Sequence, residues 1–140
     1  MVQPCVLVRA GAAGEGETGV TYAAGVGART TGATSLCLEL ASLAPGVRGR
    51  AHRHDGHESA AYVLSGAFTL WFGERLEQRV VARAGDFLFI PAGTPHLPAN
   101  ESGDEPAVAV LARSDPDEQE SATPLPELDH LPHLLGEATR

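Results

Sequence analysis

The chain has 140 residues, 43% of them apolar, with 16 glycines and 10 prolines, which fits one turn-rich globular domain able to bury a core without staples. Ten arginines against 18 acidic residues leave a net charge of −8; this argues against a nucleic-acid groove or an anionic membrane surface as partner. There is no lysine, so Schiff-base chemistry on an internal amine is excluded.

Two cysteines, Cys5 and Cys37, are too few for a disulfide framework and read as reduced thiols. The first residues carry neither a basic stretch nor an apolar run suited to a signal peptide. No apolar stretch approaches the roughly 18 residues of a membrane span. A cytoplasmic protein that does not engage a membrane is expected.

Along the chain, short apolar or alternating runs are closed by Gly, Pro, Asp or Asn, and helical periodicity is hard to find. Cys5 to Val8 reads as a first strand and Val20 to Val26 as a weak second. From Ser35 to Leu43, alternation puts Leu36, Leu38 and Leu40 on one face and Cys37, Glu39 and Ala41 on the other. The three leucines then face inward or outward together. Ala60 to Leu64 and Ala67 to Phe72, joined by Ser65-Gly66, read as a hairpin. Leu76 to Arg83, Phe87 to Ile90 and Ala107 to Ala112 complete the set. Strands at about ten-residue spacing predict an all-β sandwich or barrel, with a jelly roll among the options. The predicted barrel spans 1–113. Residues 114–140 form an acidic tail with four prolines, either draped over the barrel or docking on a second subunit through Leu125, Leu128, Leu131, Leu134 and Leu135.

The chemistry-bearing residues lie in two stretches. In the first, His52-Arg53-His54-Asp55-Gly56-His57-Glu58-Ser59, His52 and His54 point to the same side of an extended segment. They can share one metal ion, with Glu58 or His57 as a further donor. Nitrogen donors with one carboxylate suit Fe, Mn, Ni, Cu or Zn rather than Ca or Mg. The second stretch runs from Gly85 to Asn100 and carries His96 just after a Pro-Ala-Gly turn.

Together they resemble the two motifs of the cupin superfamily. Gly46, His52, His54 and Gly66 fall on the first, G-x5-H-x-H-x3–4-E-x6-G. Gly85, Pro91, Gly93, His96 and Asn100 fall on the second, G-x5-P-x-G-x2-H-x3-N. The resemblance is to small single-domain, RmlC-like cupins and covers about residues 45–112. It implies a double-stranded β-helix, one divalent transition metal ion, and a metal site at His52, His54, Glu58 and His96. One departure concerns the acid. Glu58 has the spacing from His54, but Ser59 has the spacing to Gly66, so Glu58 reaches the metal only if a β-bulge near Ala60 absorbs one residue. His57 in its place, or a three-histidine site with Ser59 facing an empty position, is the alternative.

Alternation puts Tyr62, Phe68, Leu70, Phe87 and Phe89 in an apolar wall around the ion. Arg50, with Arg48 and Arg53 nearby, is the candidate for a substrate carboxylate. Fold alone does not fix the function. A dioxygenase-like metalloenzyme acting on a small oxygenated organic molecule leads the readings. A non-catalytic ligand-binding or sensing module is the second. A sugar isomerase or epimerase, with His52 or His96 opposed to Tyr62, is the third. Open sheet edges predict a homodimer, its terminal segments reaching across a two-fold axis.

Overall fold

A computed structural model describes residues 2–9, 11, 14–15, 18–117 and 122–134. It contains eleven strands in two antiparallel sheets. The larger sheet takes β1 (Gly14–Glu15), β2 (Thr21–Val26), β3 (Cys37–Leu43), β10 (Ala107–Arg113), β5 (Ser59–Ser65) and β8 (Phe87–Ile90), in that spatial order. The smaller takes β11 (Thr123–Pro124), β4 (His52–Arg53), β9 (His96–Ala99), β6 (Ala67–Phe72) and β7 (Gln78–Arg83). Two inner faces pack against each other, as the expected all-β jelly roll requires. Between them lies a core of Val20, Ala41, Leu43, Val63, Phe68, Ala82, Ala107 and Ala109. Among the described residues, no helix is long and apolar enough to cross a membrane.

Two expectations need correction. Cys5 to Val8 forms no strand; Val6 and Leu7 stay exposed, so no neighbouring ladder exists to take up their backbone groups. The run from Ala60 to Phe72 is not a hairpin. β5 pairs with β10 and β8, whereas β6 pairs with β7 and β9. Ser65-Gly66 therefore carries the chain from one sheet to the other. Gly66 sits at φ +68°, and a Cβ there would lie 2.2 Å from the Pro106 carbonyl oxygen, so only glycine lets the corner close against the start of β10. Leu36, Leu38 and Leu40 face outward together, because Cys37, Glu39, Ala41 and Leu43 hold the buried positions of β3.

The tail lies on its own barrel. Leu125, Leu128, Leu131 and Leu134 are buried with Ala51, Trp71, Leu76, Leu97 and Ala99, covering the outer face of the smaller sheet. Each such leucine contributes on the order of 2 kcal/mol by leaving water. These four leucines are buried within the chain; Leu135 lies outside the described residues. Polar contacts fasten the same segment to the strand that carries His52. Ala51 N–H donates to Asp129 Oδ1 at 2.6 Å, and Leu125 N–H donates to the Ala51 carbonyl at 2.9 Å.

Candidate metal centre

His52 lies on β4 and His96 opens β9, and the two are direct cross-strand partners. His54 follows β4 on the same side as His52. The three are buried, and their donor nitrogens lie within 4.8 Å of one another. The local chain fixes the rings. His52 Nδ1 lies 2.7 Å from the Arg50 carbonyl and His96 Nδ1 lies 2.9 Å from the Thr94 carbonyl. A carbonyl only accepts, so each Nδ1 carries the proton and each Nε2 keeps a lone pair. Backbone carbonyls orienting histidines in this way are the usual outer support of a metal site. Gly93 N–H donates to the His54 carbonyl at 2.8 Å, tying the turn before β9 to the first histidine segment.

The electrostatics favour neutral ligands. Burial, and then the neighbouring His96, lower the pKa of His52 to about 2. Burial also lowers that of His96. Both imidazoles thus stand ready as ligands without first losing a proton. Three converging, buried imidazoles, two of them neutral and oriented, fit a transition metal ion by donor chemistry.

The acid of the expected ligand set is elsewhere. Glu58 is exposed, while Ser59 is buried and lines the cavity beside the histidines. The β5 ladder runs regularly from Ser59↔Ile90 through Tyr62↔Phe87. No bulge lies near Ala60; the register of β5 against β10 shifts only later, between Val63 and Ser65, so alternation turns Glu58 outward. Its N–H donates to Ser114 Oγ and its carbonyl accepts from Ser114 N–H. His57 is buried, with its ring 5.0 Å from that of His54 and its Nδ1 3.3 Å from Asp115 Oδ2. It stands behind His54, outside the convergent triad.

The triad opens into a cavity of about 80 Å³ between the sheets. Phe68 and Leu70 line it as expected. Tyr62, Phe87 and Phe89 do not; they are 38%, 83% and 58% exposed on the outer face of the larger sheet. β8 is apolar on both sides, and Leu88 and Ile90 are the residues it turns inward. With Tyr62 outside, the acid–base pair considered for an isomerase is not assembled. Arg50 is exposed and is not among the residues that line the cavity.

The basic residue in the cavity wall is Arg113, at the end of β10, together with Tyr22 and Ser59. Arg113 Nη1 donates to Glu39 Oε1 at 2.8 Å; both side chains are buried. The signal was available: Ala107, Ala109, Leu111 and Arg113 alternate on one face, but the strand expected from the sequence stops at Ala112, one residue early. Asn100, the last fixed residue of the second motif, is structural. Its Nδ2 donates to the carbonyls of Leu43 and Glu105, and its Oδ1 accepts from Ser102 N–H.

Solved structures with this fold include TT1209 from Thermus thermophilus, 25% identical, covering 69% of this chain and 83% of that one with a TM-score of 0.55. KdgF from Halomonas sp. is 18% identical over 77% of this chain and 90% of its own, with a TM-score of 0.60. A protein described as a predicted oxalate decarboxylase from Thermotoga maritima is 20% identical over 69% and 80%, with a TM-score of 0.58. No curated protein sequence matches the chain. The profile of the cupin domain matches residues 39–112, a stretch that holds all three histidines and both motifs. The chain belongs to the cupin domain family.

Proposed function

We propose that the protein is a mononuclear metal enzyme that binds one divalent transition metal ion (Fe, Mn, Ni, Cu or Zn) through His52, His54 and His96. Its substrate is a small oxygenated organic molecule, and dioxygenase-type oxidation is the leading reaction. The observation that carries this reading is the convergence of three buried imidazoles, two of them held by backbone carbonyls, on a mainly apolar cavity. When bound, the ion supplies Lewis-acid polarisation of substrate oxygens and, if redox-active, one-electron chemistry with O₂.

The chain's own part is to bind, orient and exclude water. His52 and His96 keep Nδ1–H on backbone carbonyls and present Nε2. Phe68, Leu70, Leu88 and Ile90 keep the cavity apolar. Its size admits about six water-sized groups, taking about 10–15 Å³ for each. One observation favours binding without turnover: among the described residues, no carboxylate lines the cavity wall to serve as a base. The two unpaired cysteines suit the reducing cytoplasm.

Elemental analysis of protein purified without a metal-affinity tag tests the site. About one equivalent of Fe, Mn, Ni, Cu or Zn is expected, lost in His96→Ala. Oxygen uptake with small hydroxy and oxo acids then separates the enzyme from a binding module. Protein that neither carries nor takes up any of these ions overturns the reading.

We infer also that the homodimer forms through the outer face of the larger sheet, not through exchanged termini. The tail closes the other sheet's outer face, whereas Leu38, Tyr62, Leu64, Phe87 and Phe89 remain exposed on this one. Five strands at about 4.8 Å spacing and four to seven residues in length give a footprint of roughly 20 by 20 Å. That is about 400 Å², the size of an apolar patch that marks a contact site. A second copy meets this face by two-fold symmetry, apolar patch on apolar patch.

A further inference from the structure

We propose that Arg113 makes this cavity a site for a small carboxylate anion, so that the ligand brings the acidic group that the chain does not place beside the histidines. The inference deepens the metal-centre reading and rests on it for its charge balance.

Placement comes first. Arg113 pairs across the larger sheet with Cys37 on one side and Ser59 on the other, and Ser59 pairs with Ile90. Arg113, Ser59 and Ile90 all line the cavity. Regular alternation along β5 therefore gives the inward position to a serine, and its neighbour across the ladder is a guanidinium. Glu39 holds Nη1 from behind, and the Tyr22 ring lies 5.4 Å from the guanidinium carbon. Glu39 is thus a positioning residue.

Charge comes second. Arg113 and Glu39 cancel. A divalent ion held by imidazoles alone would bring two uncompensated positive charges into a mainly apolar cavity. A carboxylate ligand offsets them. A guanidinium carries five N–H donors in a planar fork and can hold one carboxylate while gripping a second.

Stability alone gives little reason for the pair. Buried ion pairs commonly break even or lose against apolar residues of the same volume. The cavity's room for about six water-sized groups fits an acid of two to four carbons.

Calorimetric titration of the intact protein with malonate, against its neutral diamide malonamide, tests the proposal in both zinc-loaded and EDTA-stripped forms. Malonate is expected to bind the zinc form at least tenfold more tightly than malonamide. Arg113→Lys keeps a charge beside Glu39 but loses the fork; it is expected to weaken malonate at least tenfold with zinc content unchanged. The double variant Arg113→Met/Glu39→Gln removes both charges together and should lose malonate as well, which guards against misfolding of a single variant. Equal binding of malonamide, or wild-type malonate affinity in both folded variants, overturns the proposal while the metal site stands. Failure of the wild type to take up zinc overturns the metal reading instead. The stripped protein then decides, since malonate binding that depends on Arg113 supports the carboxylate site and its absence refutes it.

Discussion

Burying two imidazoles side by side should leave a measurable mark on the stability of the metal-free protein. In the unfolded chain His52 takes up a proton near its ordinary pKa of 6.5; in the fold, burial and His96 hold that pKa at about 2. Between these values the unfolded state binds more protons than the native state, so stability falls as pH falls. The contribution is fully present above pH 6.5 and declines below it by about 1.4 kcal/mol per pH unit. From pH 7.5 to 5.0 that amounts to about 2 kcal/mol for His52 alone. The result is insensitive to the native value provided it stays below about 4. His96 is lowered in the same direction, so its contribution has the same sign and adds to the loss. Urea unfolding of EDTA-treated protein at the two pH values reads the difference directly. His52→Asn supplies the control, because the Asn amide can replace Nδ1–H on the Arg50 carbonyl without titrating. The variant should lose about 2 kcal/mol less than the wild type over the same pH range. A loss identical in variant and wild type to within about 0.5 kcal/mol would refute the reasoning, since exposed carboxylates and other histidines contribute equally to both.

Two further outcomes follow from the placement of β5 and β8. Ser59→Glu puts a carboxylate at the inward position beside Arg113; zinc or iron should dissociate at least about tenfold more slowly, a gain typical of an added metal-site contact, and external malonate should no longer bind. Unchanged metal retention in a folded Ser59→Glu protein would mean that the position does not address the ion. Phe87→Ser/Phe89→Ser removes the most exposed aromatics of the uncovered sheet face; sedimentation should shift from dimer to monomer with little change in the midpoint of thermal unfolding. A wild-type protein that sediments as a monomer at tens of micromolar would sink the interface.

The histidine triad was legible because its information is local: His52 and His54 share a side by alternation, and His96 follows a Pro-Ala-Gly turn at fixed distance from Gly85. What alternation does not say is which side is the interior. Leu36, Leu38 and Leu40 share a face, yet Cys37, Glu39 and Ala41 are the buried ones, because the second sheet lies on their side. Phe87-Leu88-Phe89-Ile90 is harder still: with both faces apolar, period two carries no information, and the bulkier pair faces out. A strand apolar on both faces in a sheet with only one face buried is itself a sign that a second surface wants covering. The same reasoning accounts for the acid. Spacing from His54 favours Glu58 and spacing to Gly66 favours Ser59, and the ladder decides, because Ser59↔Ile90 through Tyr62↔Phe87 is unbroken. A bulge there would have turned a glutamate toward the histidines and left Arg113 beside it as an ordinary ion-pair partner. With no bulge near Ala60, Arg113 meets a hydroxyl, and the buried carboxylate of Glu39 reaches it from the strand on its other side. One residue of register therefore separates a self-contained acidic ligand set from a cavity whose guanidinium is left facing whatever enters, and that is why the charge of the incoming molecule, more than the identity of the metal, is the property by which this site can discriminate.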